Sequence, residues 1–223
     1  MNIDNVAIPT YVVNLKSRPD RLAHIKREFE NKPEFNIKFI EAITHEIGSY
    51  GLYLSLRKVI ETAQKNEDDV IIFVEDDHFF TKHYSWEYLL KNIIIAGKQE
   101  TDILLGGIGG GFRSIIPIAK NRFWIDAFWC TQFVVIYKPF FSKILNTNFV
   151  KGQDVIDEWL SKLTNKKATL FPFISEQKNF GYSDITTQRN RSISEFFEYS
   201  RRVFTDFTSK AININPKNKL KQL

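Results

Sequence analysis

Val70-Ile71-Ile72-Phe73-Val74-Glu75-Asp76-Asp77 decides how this chain is read. The first five residues are apolar on both faces, the pattern of a central parallel strand covered by helices on each side. The strand runs directly into three carboxylates. In open α/β sheets ligands bind beyond the carboxyl ends of the strands, so this acidic turn is the first candidate site. Strand alternation predicts Glu75 and Asp77 on one side and Asp76 on the other. Three adjacent carboxylates repel one another unless a cation or a hydrogen-bond network compensates. Hard divalent ions such as Mg²⁺ or Mn²⁺ suit such donors and typically take one or two carboxylates plus substrate phosphates. The same residues also read as a solvated acidic turn.

Outward from this strand, short apolar runs alternate with helical patterns, which is how a βαβ sheet looks in sequence. Ala7 to Leu15 predicts a first strand. Ser17-Arg18-Pro19-Asp20 follows as a helix start, with Ser17 as cap, Pro19 in the first turn and Asp20 closing an S-x-x-D box. Ile37 to Ile40 reads as a second strand, and Tyr50 to Ala63 as a helix with Leu52, Leu56, Val59, Ile60 and Ala63 on one face. A helix around residues 85–97 precedes a strand from Asp102 to Leu105. That strand stops at Gly106-Gly107-Ile108-Gly109-Gly110-Gly111, where five of the ten glycines lie. The second half is less regular. Thr131 to Tyr137 and Thr169 to Phe173 read as strands, while Pro139 to Asn146 and Gln153 to Leu163 read as helices. Ser194 to Phe207 is amphipathic, with Phe196, Phe197, Tyr199, Val203, Phe204 and Phe207 opposite Glu195, Glu198, Arg202 and Asp206.

Composition narrows the class. The 223 residues are 43% hydrophobic and 14% aromatic, too rich for a disordered chain. One cysteine, Cys130, excludes an internal disulfide framework. No apolar run reaches the roughly 18–20 residues that span a bilayer, and Met1 to Asn5 lacks the marks of a signal peptide. The expectation is a soluble intracellular protein. Residues 1–200 balance 25 basic against 25 acidic side chains. The net charge of +5 arises in residues 201–223, where Arg201, Arg202, Lys210, Lys217, Lys219 and Lys221 face Asp206 alone. A neutral body with a basic tail argues against a nucleic-acid-binding domain and for an appended electrostatic contact, or for a solvated tail.

Other chemistry-bearing residues are few. His24, His45, His78 and His83 all fall early, and His78 could support the acidic cluster or serve as a core histidine. No Ser-His-Asp or Cys-His arrangement is present, and Cys130 reads as a buried small hydrophobe. The glycine run lacks the Gly-Lys-Ser/Thr ending of a phosphate loop and fits no dinucleotide fingerprint. It reads as a mobile loop bordering the site, or as a plain connection.

Several of these blocks together resemble family 25 glycosyltransferases, the lipooligosaccharide-biosynthesis and collagen-galactosyltransferase group. Tyr11-Val12-Val13-Asn14-Leu15-Lys16-Ser17-Arg18-Pro19-Asp20-Arg21 resembles the family's opening, Gly48 to Ser55 its second motif and Phe73-Val74-Glu75-Asp76-Asp77 its acidic motif. Downstream, Cys130-Thr131 to Tyr137-Lys138, then Lys151-Gly152-Gln153-Asp154, then Pro172 with Gln177 and Gly181-Tyr182-Ser183-Asp184-Ile185 follow in the family's order, over about residues 8–187. The resemblance implies a single α/β catalytic domain of GT-A type, a Rossmann-like mixed sheet flanked by helices over residues 1–193. Residues 194–223 are then an appended amphipathic helix and basic tail.

It further implies an inverting, metal-dependent transfer of a hexose, most often galactose, from a UDP-sugar to a surface glycan such as lipooligosaccharide. Asn14, Arg18, Arg21, Ser55 and Asp76 would lie at the nucleotide sugar, and Glu75 and Asp77 would hold Mn²⁺ or Mg²⁺ on the diphosphate. Asp154 is the favoured base for the acceptor hydroxyl, with Asp184 and Asp157 behind it, although Asp154 also suits a helix N-terminal charge. An enzyme with a lipid-linked acceptor works beside an anionic cytoplasmic leaflet, where each basic residue contributes about 1 kcal/mol. Peripheral attachment through residues 194–223 is the corresponding expectation; alternatively the aromatic face packs on the fold and only the last ten residues are free.

The chain departs from the family in three places. Leu52 and Leu56 stand where a cysteine and a histidine are common. Trp129-Cys130-Thr131-Gln132-Phe133 replaces a Gly-Thr-x-Gly-Tyr block, so the acceptor side differs. No histidine follows His83, which removes a C-terminal histidine ligand. Three other readings compete: a family member that binds nucleotide sugar or glycan without turnover, metal-assisted phosphate-ester hydrolysis at Glu75-Asp76-Asp77, and a basic nucleic-acid binder.

Overall fold

The chain begins as strand, helix, strand, helix, strand: β1 (Ile8–Asn14), α1 (Pro19–Glu28), β2 (Phe35–Glu41), α2 (Gly48–Lys65) and β3 (Val70–Glu75). The structure, a computed structural model, describes residues 6–181 and 192–214, with side chains as far as Ser209. β1 lies between β2 and β3, parallel to both, so β1 and β3 present their carboxyl ends at the same edge of the sheet. Next come β4 (His78–Phe80), α3 (Trp86–Lys98), β5 (Ile103–Leu105), β6 (Ile115–Ala119), β7 (Arg122–Ile125) and β8 (Phe133–Tyr137). The remaining elements are α4 (Lys138–Asn146), α5 (Ile156–Leu163), β9 (Lys167–Leu170), β10 (Ser175–Gln177) and α6 (Ile193–Ile214). Eight strands form a mixed sheet in the order β2-β1-β3-β8-β5-β9-β7-β6, and β10 pairs with β4 in a separate ribbon.

The sheet separates two apolar layers, and residue parity assigns each side chain to one of them. Tyr11, Val13, Ile71 and Phe73 join the layer containing α2, α4, α5 and α6 residues, including Leu56, Phe141, Trp159 and Phe204. Val12, Ile72 and Val74 join the opposite layer with Ile25 of α1 and Leu89 and Ile93 of α3. β3 is buried on both faces as its composition predicts, but it is parallel only to β1. Its other neighbour, β8, is antiparallel, which makes the sheet mixed.

Several local expectations change. Ser17 does not cap α1; the cap position is Arg18, without a side-chain cap, and Pro19 starts the helix with its fixed φ. The glycine run is not a mobile loop. Gly106, Gly107, Gly109 and Gly110 are buried, and a Cβ at Gly107 would stand 2.2 Å from the Ser175 carbonyl oxygen and one at Gly109 2.7 Å from Cys130 Sγ. Close approach of backbone to neighbours, rather than flexibility, is what these glycines permit. The β6–β7 hairpin and the β4–β10 ribbon have no counterpart in the sequence reading, because their strands are three to five residues long and carry little periodicity.

The aromatic face of α6 is part of the core. Phe197 and Phe204 are fully buried, and the Phe204 ring lies 5.4 Å from Phe112, 5.1 Å from Phe123 and 5.3 Å from Phe171. Glu195, Glu198, Arg202 and Asp206 point outward as the pattern requires. This packing is the alternative reading of residues 194–207, and it takes up Phe197 and Phe204 while Tyr199 stays exposed. Lys217, Lys219 and Lys221 lie outside the described residues. Among the described residues no helix is long and apolar enough to cross a membrane.

Replacing a fully buried phenylalanine by alanine typically costs about 3–5 kcal/mol. Phe204→Ala should lower unfolding stability in chemical denaturation by about that amount. A loss below about 1 kcal/mol would show that α6 is not integral to the core.

Candidate functional site

The parity of β3 also disposes the acidic turn. Glu75 follows Ile71 and Phe73 toward the layer of α2, α5 and α6, whereas Asp76 follows Ile72 and Val74 toward α1. On that second side Asn14, at the end of β1, donates from Nδ2 to Asp76 Oδ2 at 2.7 Å. Arg21 of α1 donates to Asp76 Oδ1 at 3.0 Å. Asp77 does not share the side of Glu75, as strict alternation predicts. The strand ends at Glu75, and the turn into β4 swings Asp77 toward Arg21, 3.5 Å away. Gln177 of β10 donates to both Asp77 oxygens, at 3.2 and 3.1 Å, and the Lys178 N–H donates to the Asp77 carbonyl at 2.7 Å.

Glu75 opens onto a cavity of about 240 Å³ between the end of β3, the start of α5 and α6. Thr131 donates to Glu75 Oε1 at 2.5 Å. The preceding residue, Cys130, has φ of 80°, a left-handed conformation that costs a residue with a Cβ. That turn aims the Cys130 N–H at Asp157 Oδ2, 3.1 Å away. Cys130 is therefore half-buried in the cavity wall rather than enclosed in the core. Asp157, Glu158, Gln177, Leu52, Trp129 and Phe196 also line the cavity.

Burial pushes Glu75 up to about 8, reinforced by the charge of Asp77 and opposed by the Thr131 hydrogen bond. Burial likewise raises Asp77 to about 7, with Asp76 adding to the shift and Arg21 and Gln177 opposing it. Burial raises Asp157 too, against the backbone N–H groups that it accepts. Among the described residues no group of three His, Cys, Asp or Glu side chains could hold a metal unaided. Glu75 and Asp77 are hard oxygen donors, and the charge of Asp77 adds to the rise at Glu75, a repulsion that a divalent cation would relieve. They fit a site completed by substrate phosphate oxygens.

The remaining sequence candidates separate from one another. Arg18 is half-buried at the start of α1, and its carbonyl accepts from Asn14 Nδ2 at 3.2 Å. Ser55 is buried, donating to the Gly51 carbonyl and accepting the Ile43 N–H, both at 2.8 Å, so its hydroxyl pins α2 to the preceding loop. Asp154 precedes α5 instead of opening it, accepts the Val150 N–H at 2.7 Å and does not line the cavity. Asp184 lies outside the described residues. His78 is enclosed by Phe29, Phe80 and Phe133 and bonded through Nδ1 to Ser175 Oγ at 2.7 Å. Burial holds its pKa well below the ordinary value, so it is a neutral core histidine. Of the two leucines that depart from the family pattern, Leu52 lines the cavity and Leu56 is fully buried in the core.

Lys178 is a site residue that the sequence reading missed. Its ammonium lies 3.5 Å from His24 Nδ1 and 5.1 Å from the centre of the Phe180 ring, which Arg21 also approaches at 5.0 Å. A lysine directly after Gln177 was the available signal, but only the β4–β10 pairing carries it to the acidic turn.

This mixed sheet, with an acidic turn at the end of a central strand, is an α/β fold of GT-A type. The chain is similar to a glycosyltransferase involved in the glycosylation of the major capsid of PBCV-1, with 10% identity and a TM-score of 0.52 over 87% of this chain and 98% of that chain. It is similar to a protein from STIV at 10% identity and a TM-score of 0.51, over 84% of this chain and 100% of that one. Likeness at this identity speaks for the fold. In sequence, the family model described as glycosyltransferase family 25 (LPS biosynthesis protein) matches residues 7–50, which span β1, α1, β2 and the start of α2. No curated protein matches the chain.

Raised carboxyl pKa values make stability depend on pH in a fixed direction. Glu75 and Asp77 hold protons more tightly folded than unfolded, so their contribution is complete below about pH 4 and is lost as pH rises through about 7–8. Without added metal, Tm should fall between about pH 5 and about pH 9, and Glu75→Gln should flatten that fall. An unchanged slope in the variant would remove Glu75 as its source.

Proposed function

We propose that the protein is a family 25-type glycosyltransferase that moves a hexose, with galactose the first choice, from a UDP-sugar to a glycan hydroxyl with inversion. The lipooligosaccharide class is the acceptor we favour. The observation that carries this reading is the buried turn Glu75-Asp76-Asp77 at the carboxyl ends of β1 and β3. Cationic Arg21 and Lys178 flank it on one side, and a cavity holding Asp157 lies on the other. Arg21 and Lys178 suit the diphosphate of the donor. Glu75 and Asp77 would hold Mn²⁺ or Mg²⁺, which when bound neutralises charge on the departing diphosphate.

In the reaction the acceptor oxygen forms its bond to the anomeric carbon. The bond from that carbon to the diphosphate oxygen breaks with its electron pair, and the acceptor proton passes to a base on the opposite face. Asp157 is the base we favour over Asp154. It lines the same cavity as Glu75, and burial raises its pKa toward the working range of a general base. Asp154 is occupied as a local cap.

A panel of UDP-sugars with Mn²⁺ should include at least one that raises Tm, and the same sugar should be turned over. Loss of a general base typically costs about 10²–10⁴-fold in rate, so Asp157→Asn should lower kcat by that factor while keeping the donor-induced Tm shift. Asp154→Asn should cost less than about tenfold; the reverse order would return the role to Asp154. Donor binding without turnover in the wild type would identify a glycan- or nucleotide-sugar-binding relative, a reading favoured by Leu52 in the cavity wall. Failure of every UDP-sugar to shift Tm would overturn the donor assignment.

A further inference from the structure

The glycine run that ends β5 makes no phosphate loop, yet its bare backbone is used. Gly109 N–H donates to the Trp129 carbonyl at 3.0 Å, and Trp129 N–H donates to the Gly110 carbonyl at 2.9 Å. A Cβ at Gly110 would stand 3.0 Å from Cε3 of Trp129, and one at Gly111 would stand 2.9 Å from Cδ1. The indole thus rests against positions where any side chain would displace it. Gly111, at φ of 85°, also has a backbone conformation that favours glycine.

Of the four tryptophans, Trp129 is the exposed one, with 41% of its surface accessible. Its ring meets Phe196 of α6 edge to face, with centroids 5.7 Å apart and planes at 86°. The two rings make an apolar corner in the wall of the cavity that also contains Glu75, Asp157, Glu158, Thr131 and Gln177.

We infer that this corner is the acceptor subsite and that it takes the uncharged terminal pyranose of a glycan, with anionic sugars excluded. The inference rests on the glycosyl-transfer reading and names the acceptor class for that site. A pyranose presents a C–H face that stacks on an aromatic ring and a rim of hydroxyls for convergent polar groups. Among the lining residues three are carboxylates, with Glu158 exposed at the rim, and none is lysine or arginine, so a uronate, sialate or phosphorylated sugar finds no cation to pair with and meets Glu158 on entry. Glu75 and Asp157 are also partly satisfied from within the protein. Thr131 donates to Glu75, and the N–H groups of Cys130 and Glu158 donate to Asp157. What they offer a ligand is therefore lone pairs for hydroxyl donors rather than a bare charge for an ammonium group.

Saturation-transfer NMR on the full chain, with methyl β-galactopyranoside, methyl β-glucuronide and glucosamine as probes, tests this. The galactoside should receive saturation and the glucuronide should not. Trp129→Ala should weaken galactoside binding by about tenfold or more, Trp129→Phe should restore part of it, and Glu158→Gln should admit the glucuronide. In turnover assays Trp129→Ala should raise acceptor KM by a similar factor of about ten while the UDP-sugar-induced Tm shift stays within about twofold. Equal binding of the glucuronide, preference for glucosamine, or galactoside binding indifferent to both Trp129 variants would overturn the inference. Galactoside binding with no UDP-sugar response would overturn the transferase reading and leave the subsite as a glycan-binding site.

Discussion

Three consecutive carboxylates stand at the end of a strand buried on both faces, and the architecture around them is organised by that electrostatic conflict. Each is compensated by residues distant in the chain, with Arg21 serving two of them: Asp76 by Asn14 and Arg21, Asp77 by Arg21 and Gln177, Glu75 by Thr131. Those partners come from β1, α1, β10 and the loop before β8. The compensation is incomplete, as the raised pKa values of Glu75 and Asp77 show. Partly satisfied buried charge is costly to a fold.

The surrounding scaffold holds this turn between two unlike environments. On the α1 side, Arg21, His24, Lys178 and Phe180 make a cationic and aromatic patch. On the α5 and α6 side lies a cavity with carboxylates, the exposed ring of Trp129 and the half-buried ring of Phe196. The two environments meet at the same edge of the sheet, with cationic side chains on one side and carboxylates on the other. α6 belongs to this division: its inner aromatic residues are core, and Ile193 and Phe196 close one wall of the cavity.

Much of the first half was legible in the sequence because its elements are long and strongly periodic. β1, α1, β2, α2, β3 and α3 all lie within a few residues of where their patterns place them. The acidic turn was legible because carboxylates directly after a fully apolar strand have few structural uses. The β4–β10 ribbon and β6–β7 hairpin were not, since strands of three to five residues give too few side chains to show a period. Asp154 and Asp157 illustrate the limit of sequence position. Three residues apart at the start of a short helix, one caps its own turn and the other lines the cavity, and the start of α5 at Ile156 decides which.

By itself the sequence determined the α/β class, the acidic turn at the end of the central strand and the neutrality of the body, because strand and helix periods and residue counts are local quantities. Only the tertiary structure decided that Asp77 turns toward Arg21, that Gln177 and Lys178 reach the acidic turn, and that the glycine run is packed rather than mobile. It also decided that α6 packs into the core instead of facing outward. Each of those outcomes depends on segments far apart in the chain meeting across the sheet. Burial and charge compensation between distant segments have no period along the sequence from which to be read.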